Sequence, residues 1–181
     1  DGDKAVAITV NSKTHRTGVC NAMETLLVDN RSAEQLLPAV GQALAEKGVE
    51  MRSCPQAKAI LGDLAVEATN EDWDTEYLDL ICSVRVVDGV EGALEHINRH
   101  GSGHTECIVT DDEATARRFQ LEADTSTVFW NASTRFSDGG EFGMGAEIGI
   151  STDKIGARGP MGLAELTTYK WLGEGAGLTR A

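Results

Sequence analysis

LDLICSVRVVDGVEGALEHINRHGSGHTECIVT, residues 78–110, runs through two periods in succession. It opens with Leu78, Leu80, Cys82, Val84 and Val86 at every second position, the period of two expected of a strand. From Val90 the period lengthens: Val90, Ala93, Leu94 and Ile97 share one face of a helix over residues 90–99, and Gly101 marks its end. Residues 107–110 then read as a second short strand. A strand, a helix and a strand within so short a span predict an α/β domain.

Working outward, the alternation continues. Asp111 or Asp112 caps a helix over residues 113–121, and residues 127–131 form a further strand. Upstream, residues 33–47 place Leu36, Leu37, Val40 and Leu44 on one helical face, with Gly48 as the stop and Pro38 tolerated near the start. The β-branched run at residues 4–10 predicts a strand, residues 11–18 a polar loop, and residues 22–28 a helix. After Asn131 the texture changes to a long segment rich in glycine, and loops of that length inside a compact domain are functional or interfacial. Residues 166–172 predict one last strand, able to pair outside the main sheet.

The 181 residues suit one domain, or one domain with a small appendage, and the 41% apolar and 25% charged fractions are those of a soluble globular protein. A formal charge of -13 argues against nucleic acid and against an anionic membrane surface as partners. An anionic substrate would have to be held by a few local Arg, Lys and backbone N–H groups. The chain has no apolar run approaching the roughly 20 residues that span a bilayer, and its start does not read as a signal peptide, so a cytoplasmic location is expected. The four cysteines show neither a Cys-x-x-Cys pair nor zinc spacing, so no metal is expected. Cys82 and Cys107 read as buried core residues, and Cys54 has neither partner nor motif.

Three segments carry chemistry. Cys20 lies in TGVCNAMET, read as a loop entering a helix, where the helix dipole and free N–H groups would stabilise a thiolate and an oxyanion. A small residue packed under a helix start is the plain alternative. Lys13, His15 and Arg16 could lend positive charge or form a solvated basic loop. The GSGHT turn delivers His104 either as a backbone-bonded turn residue or as a catalytic group. Finally, WNASTRFSDG offers Ser133, Thr134 and Arg135, a set suited to a small carboxylate or phosphate, unless Arg135 simply pairs with Asp138 or Glu141.

Taken together, GVCNAMETLLV, VDGVEGALEHINRHGSGHTECI, VFWNASTRFSDGGEFGMGAEIGIST and ARGPMGLAELTTYKW resemble the gamma-glutamyl phosphate reductases, also called glutamate-5-semialdehyde dehydrogenases. The similarity runs in order over nearly the whole chain. It implies the aldehyde-dehydrogenase fold, with residues 1–161 as the cysteine-bearing catalytic domain and residues 162–181 as an oligomerisation arm that donates a strand to a partner subunit. The N-terminal cofactor-binding half of the family would be absent, and such a fragment would be inactive alone.

The resemblance also implies an activity: NADPH-dependent reduction of L-glutamyl 5-phosphate to L-glutamate 5-semialdehyde, with release of phosphate, in proline biosynthesis. Cys20 matches the nucleophile that forms the thioester, with its own N–H and Asn21 at the oxyanion. Ser133, Thr134 and Arg135, with His104, become candidates for substrate binding, and Glu76 aligns with a carboxylate that holds the nicotinamide ribose. The competing readings are a hydrolytic aldehyde dehydrogenase and a catalytically silent oligomerisation fragment.

Overall fold

The computed structural model describes residues 1–181. Its first layer is a parallel sheet of four strands in the order β1-β4-β2-β3. The strands are β1 (Thr25–Asp29), β2 (Glu50–Ser53), β3 (Ala65–Glu67) and β4 (Ile81–Val87). Parallel neighbours require crossovers. Helices α2 (Asn30–Glu46) and α3 (Pro55–Leu61) supply the first two, and α1 (Gly2–Thr14) packs against α2.

In α2, Asp29 accepts from the Arg31 N–H at 3.1 Å, and Ala33, Leu37, Val40 and Leu44 point into the core. Gly48 takes a positive φ of 77° just beyond the helix, a conformation that costs glycine least. Pro38 sits in the helix interior rather than near its start, because the helix begins earlier than the apolar pattern suggests. Gly41 permits close packing on α3: a Cβ there would stand 2.3 Å from a Leu61 methyl. Cys54, which showed no motif, caps α3. Its Sγ accepts from the N–H groups of Ala57 at 3.5 Å and Val86 at 3.4 Å, and Pro55 fills the first helical turn.

β4 lies between β1 and β2, and its middle is covered on both faces: the consecutive residues Cys82, Ser83 and Val84 are all fully buried. The expected alternation therefore describes only part of it. Leu80 and Val86 pack against the core as expected, whereas Leu78 lies before the strand, half exposed, with a φ of 54°.

From β4 the chain passes through α4 (Gly89–His100), β5 (Thr105–Ile108), α5 (Glu113–Glu122) and β6 (Thr127–Trp130). β5 and β6 form a second, two-stranded parallel sheet. Asp112 caps α5, accepting from the Thr115 N–H at 3.1 Å. Cys107 is only half-buried, and its thiol donates to the Ala132 carbonyl at 2.9 Å. In the glycine-rich segment an antiparallel pair, β7 (Gly149–Ser151) and β8 (Gly159–Met161), was not anticipated.

Three expected elements differ. Residues 4–10 lie within α1, not a strand: Asp1 caps it by accepting from the Lys4 N–H, and its buried face is Thr9, Ser12 and Lys13. Residues 22–28 are not helical, since pairing with β4 draws 25–29 into β1. Residues 166–172 form no strand, because no other strand pairs with them, and Leu166, Tyr169, Trp171 and Leu172 stand exposed.

Candidate active site

Between the end of α1 and the start of β1 the chain makes a tight excursion that carries Cys20. Its base is closed by the Met23 N–H donating to the Ser12 carbonyl at 2.9 Å, and its tip by the Ala22 N–H donating to the Val19 carbonyl at 3.0 Å. Cys20 is exposed there, while Asn21 and Ala22 are buried. No helix follows, so no helix dipole acts on the thiol. Its pKa is instead raised, first by burial around the sulfur and then by Glu147 and, more weakly, Glu76, with Arg135 opposing. The N–H groups of Cys20 and Asn21 donate to no other residue. Two free backbone donors beside a nucleophilic atom are the raw material of an oxyanion site.

A web of short polar side chains fastens this loop to the segment after β6. That segment leaves the strand through Asn131, whose φ of 54° is held by its own amide: Oδ1 accepts from the Thr110 N–H and Nδ2 donates to the Thr110 carbonyl. Ser133 and Ser12 share a hydrogen bond of 3.1 Å between hydroxyls. The Thr134 hydroxyl donates to the Asn21 carbonyl at 2.7 Å, and Asn21 Nδ2 donates to the Ser137 carbonyl at 2.9 Å. Arg135 pairs with neither Asp138 nor Glu141. Its Nε donates to His15 Nδ1 at 3.3 Å, and both Nη groups are free.

The web reaches His104 in two further steps: Thr105 donates to the Ser137 hydroxyl at 2.8 Å, and its oxygen lies 2.6 Å from His104 Nδ1. Burial pushes the His104 pKa down, so the ring is neutral near pH 7, and its Nε2 is buried without a partner. The structure thus brings Cys20, Asn21, Ser133, Thr134, Arg135 and His104 into one neighbourhood. Glu76 is exposed and close enough for its charge to act on both Cys20 and His104.

Sequence reasoning missed Ser12, Ser137 and Glu147. Glu147 sits in the glycine-rich segment, accepts from the Gly139 N–H at 2.9 Å, and is the strongest charge acting on Cys20. Lys13, read as either a source of charge for the thiol or part of a solvated basic loop, is instead fully buried and bound to Glu24 at 2.9 Å. Glu24 also accepts from the Tyr77 N–H at 3.4 Å, which ties the end of the Cys20 loop to the strand approach that carries Glu76.

No three His, Cys, Asp or Glu side chains converge as a metal site, and no helix is long and apolar enough to cross a membrane. β1 runs directly into α2 without a glycine-rich turn, so that junction forms no phosphate cradle of the dinucleotide-binding kind.

No family model matches the chain. It is 56% identical over 180 residues to the gamma-glutamyl phosphate reductase of Moorella thermoacetica, covering 99% of this chain and 43% of the relative. The crystal structure of the gamma-glutamyl phosphate reductase from Thermotoga maritima superimposes with a TM-score of 0.95 at 49% identity, covering 100% of this chain and 44% of that one. An acetylating aldehyde dehydrogenase from Geobacillus thermoglucosidasius gives 0.71 at 18% identity, over 100% of this chain and 49% of that one, a likeness of fold alone. The resemblance read from the motifs and the aldehyde-dehydrogenase-like α/β fold are both borne out. The chain spans less than half the length of the relatives it matches.

Proposed function

We infer that this chain is the cysteine-bearing part of a gamma-glutamyl phosphate reductase, an oxidoreductase of proline biosynthesis that takes L-glutamyl 5-phosphate to L-glutamate 5-semialdehyde. The observation that carries the reading is the exposed Cys20 thiol beside two unpaired backbone N–H groups, in a chain with 56% identity to such an enzyme.

The Cys20 thiol gives up its proton to solvent, and the sulfur attacks the acyl carbon of the acyl phosphate. The N–H groups of Cys20 and Asn21 receive the oxyanion. As the carbonyl re-forms, the carbon–oxygen bond to phosphate breaks, and inorganic phosphate leaves from a thioester on Cys20. When bound, a nicotinamide cofactor, for which we propose NADPH, supplies the hydride. Of this chain's residues, Glu76 would meet its ribose hydroxyls.

The free Nη groups of Arg135 suit the α-carboxylate of the glutamyl chain as a two-pronged donor, with the bonds from its Nε to His15 and from its backbone N–H to the Ser133 hydroxyl fixing their direction. Neutral His104 presents its unpartnered Nε2 for a hydrogen bond to substrate. Glu147 and burial hold the thiol protonated at rest. Activation then comes as a bound ligand changes that field, in which the Cys20 backbone N–H and, more weakly, Arg135 already oppose the rise. The exposed run Leu166, Tyr169, Trp171 and Leu172 fits an arm that is covered in a homo-oligomer, and we place the enzyme in the cytoplasm.

The test is the reverse reaction: reduction of NADP by glutamate semialdehyde, with and without phosphate, for the intact protein and for its Cys20→Ser variant. Phosphate-dependent turnover lost with Cys20 supports the reading. Turnover indifferent to phosphate replaces it with the hydrolytic one, and no turnover leaves an assembly role. Arg135→Ala is expected to raise KM while Cys20 alkylation stays intact.

A further inference from the structure

Beyond the α4–β5 turn lies a polar cleft of about 410 Å³ that none of the residues around Cys20 lines. Its walls are the Gly101–Gly103 turn, Asp124 and Thr125 before β6, and Thr152, Lys154 and Arg158 from the β7–β8 connection, with Ile97 as the one hydrophobic residue.

The cleft collects hydrogen-bond donors that have no acceptor. Thr125 is only 7% exposed, and its hydroxyl has no partner. Arg158 Nε is buried and unpaired, while Nη2 of the same guanidinium donates to the Asp124 carbonyl at 3.2 Å and to its carboxylate at 3.1 Å. The N–H groups of Ser102 and Gly103 donate to nothing. Two of these donors, the Thr125 hydroxyl and Arg158 Nε, are buried, and buried donors without acceptors are costly, so a site that joins them to two open N–H groups suits a group that brings oxygens.

Charge agrees with this. Lys154 and Arg158 both pair with Asp124, two cations to one carboxylate, in a chain whose formal charge is -13. A divalent cation would find a single carboxylate here, and an apolar ligand would find a single apolar wall residue.

We propose that this cleft binds a tetrahedral oxyanion of the phosphate class, received by Lys154, Arg158, Thr125 and the Ser102–Gly103 backbone. The assignment stands on the geometry and not on the activity inferred above. The site adjoins the catalytic web through the chain itself. Gly103 precedes His104, and the Ser126 N–H donates to the Gly103 carbonyl at 2.8 Å, so an anion held here also fastens the turn that carries His104.

The experiment is a calorimetric titration of the intact protein at fixed ionic strength with inorganic phosphate, and separately with adenosine 2′-monophosphate. One saturable event is expected. It should weaken about tenfold or more in Lys154→Gln/Arg158→Gln and several-fold in Thr125→Val, and stay unchanged in Arg135→Ala. Lys154→Gln alone, at an exposed position, guards against misfolding and should weaken binding in the same direction. Equal affinity for both probes assigns free phosphate, and a clear preference for the monophosphate assigns the phosphate group of a nucleotide. Binding that is absent at millimolar phosphate, indifferent to the double variant, or lost only with Arg135 overturns the proposal.

Discussion

The two parallel sheets are held by different forces. The four-stranded sheet closes over twelve buried apolar residues, among them Leu37, Leu44, Met51 and Val84. The two-stranded sheet has three, Leu94, Phe119 and Ala123, and beside them the chain of hydroxyls and amides that runs from Ser12 to His104. Apolar burial is strong and indifferent to direction, whereas a hydrogen bond is worth less but fixes an angle. The first sheet is therefore where the stability resides, and the seam beside the second is where positions are set.

The sharpest way to break this contrast is at Lys13, the one charged side chain fully buried beneath the nucleophile loop. Lys13→Met leaves Glu24 desolvated without its partner, and a loss of about 3–5 kcal/mol in urea unfolding is expected, most of it recovered when Glu24 is also made apolar. Next come the cores themselves. Leu44→Ala should cost about 3 kcal/mol, and Leu94→Ala, at a core of three, clearly less. Equal losses would mean that the second sheet shares the first one's footing.

A third probe uses pH. Burial, then the charges of His100 and Arg85, push His96 down to about 4. The folded protein thus keeps a neutral ring that the unfolded chain protonates below about 6.5. The associated stability is present above pH 6.5 and is lost as pH falls towards 4, by roughly 1–2 kcal/mol once solvent screening is allowed for. The fall in the urea midpoint over that window should shrink in His96→Gln. The smallest effect belongs to the web: Thr105→Val removes the bonds to Ser137 and His104 and should cost about 1 kcal/mol of stability while lowering turnover more than it lowers the melting temperature.

Where apolar period and local capping agree, the sequence was legible: α2, α4, α5 and the middle of β4 all lie close to where the pattern puts them. The failures cluster at the nucleophile. α1 turns a polar face inward, Thr9, Ser12 and Lys13, which no apolar period reveals, and its β-branched residues imitate a strand. β1 is preceded by Ala22, Met23 and Glu24, good helix formers, and is a strand only because β4 lies alongside. The short strands β2 and β3 fall below the length at which a period can be read. Cys20, Arg135 and His104 were singled out from their local surroundings and then joined by the motif resemblance. Their connection through Ser12, Asn21, Thr105 and Ser137 was not legible, because each is a small polar residue whose partner is decided by the fold. Glu147 was hidden for the same reason.

The bonds that settle the Cys20 loop join residues 113 to 121 positions apart. On a ribosome adding roughly 5–20 residues per second, the thiol therefore leaves the exit tunnel about 6 to 24 s before Ser133, Thr134 and Ser137 follow it out to hold its loop. During that interval the newborn cysteine meets the cell's electrophiles and oxidants on a slack chain. Its chemical integrity then depends on the speed of translation before it depends on anything the folded chain provides.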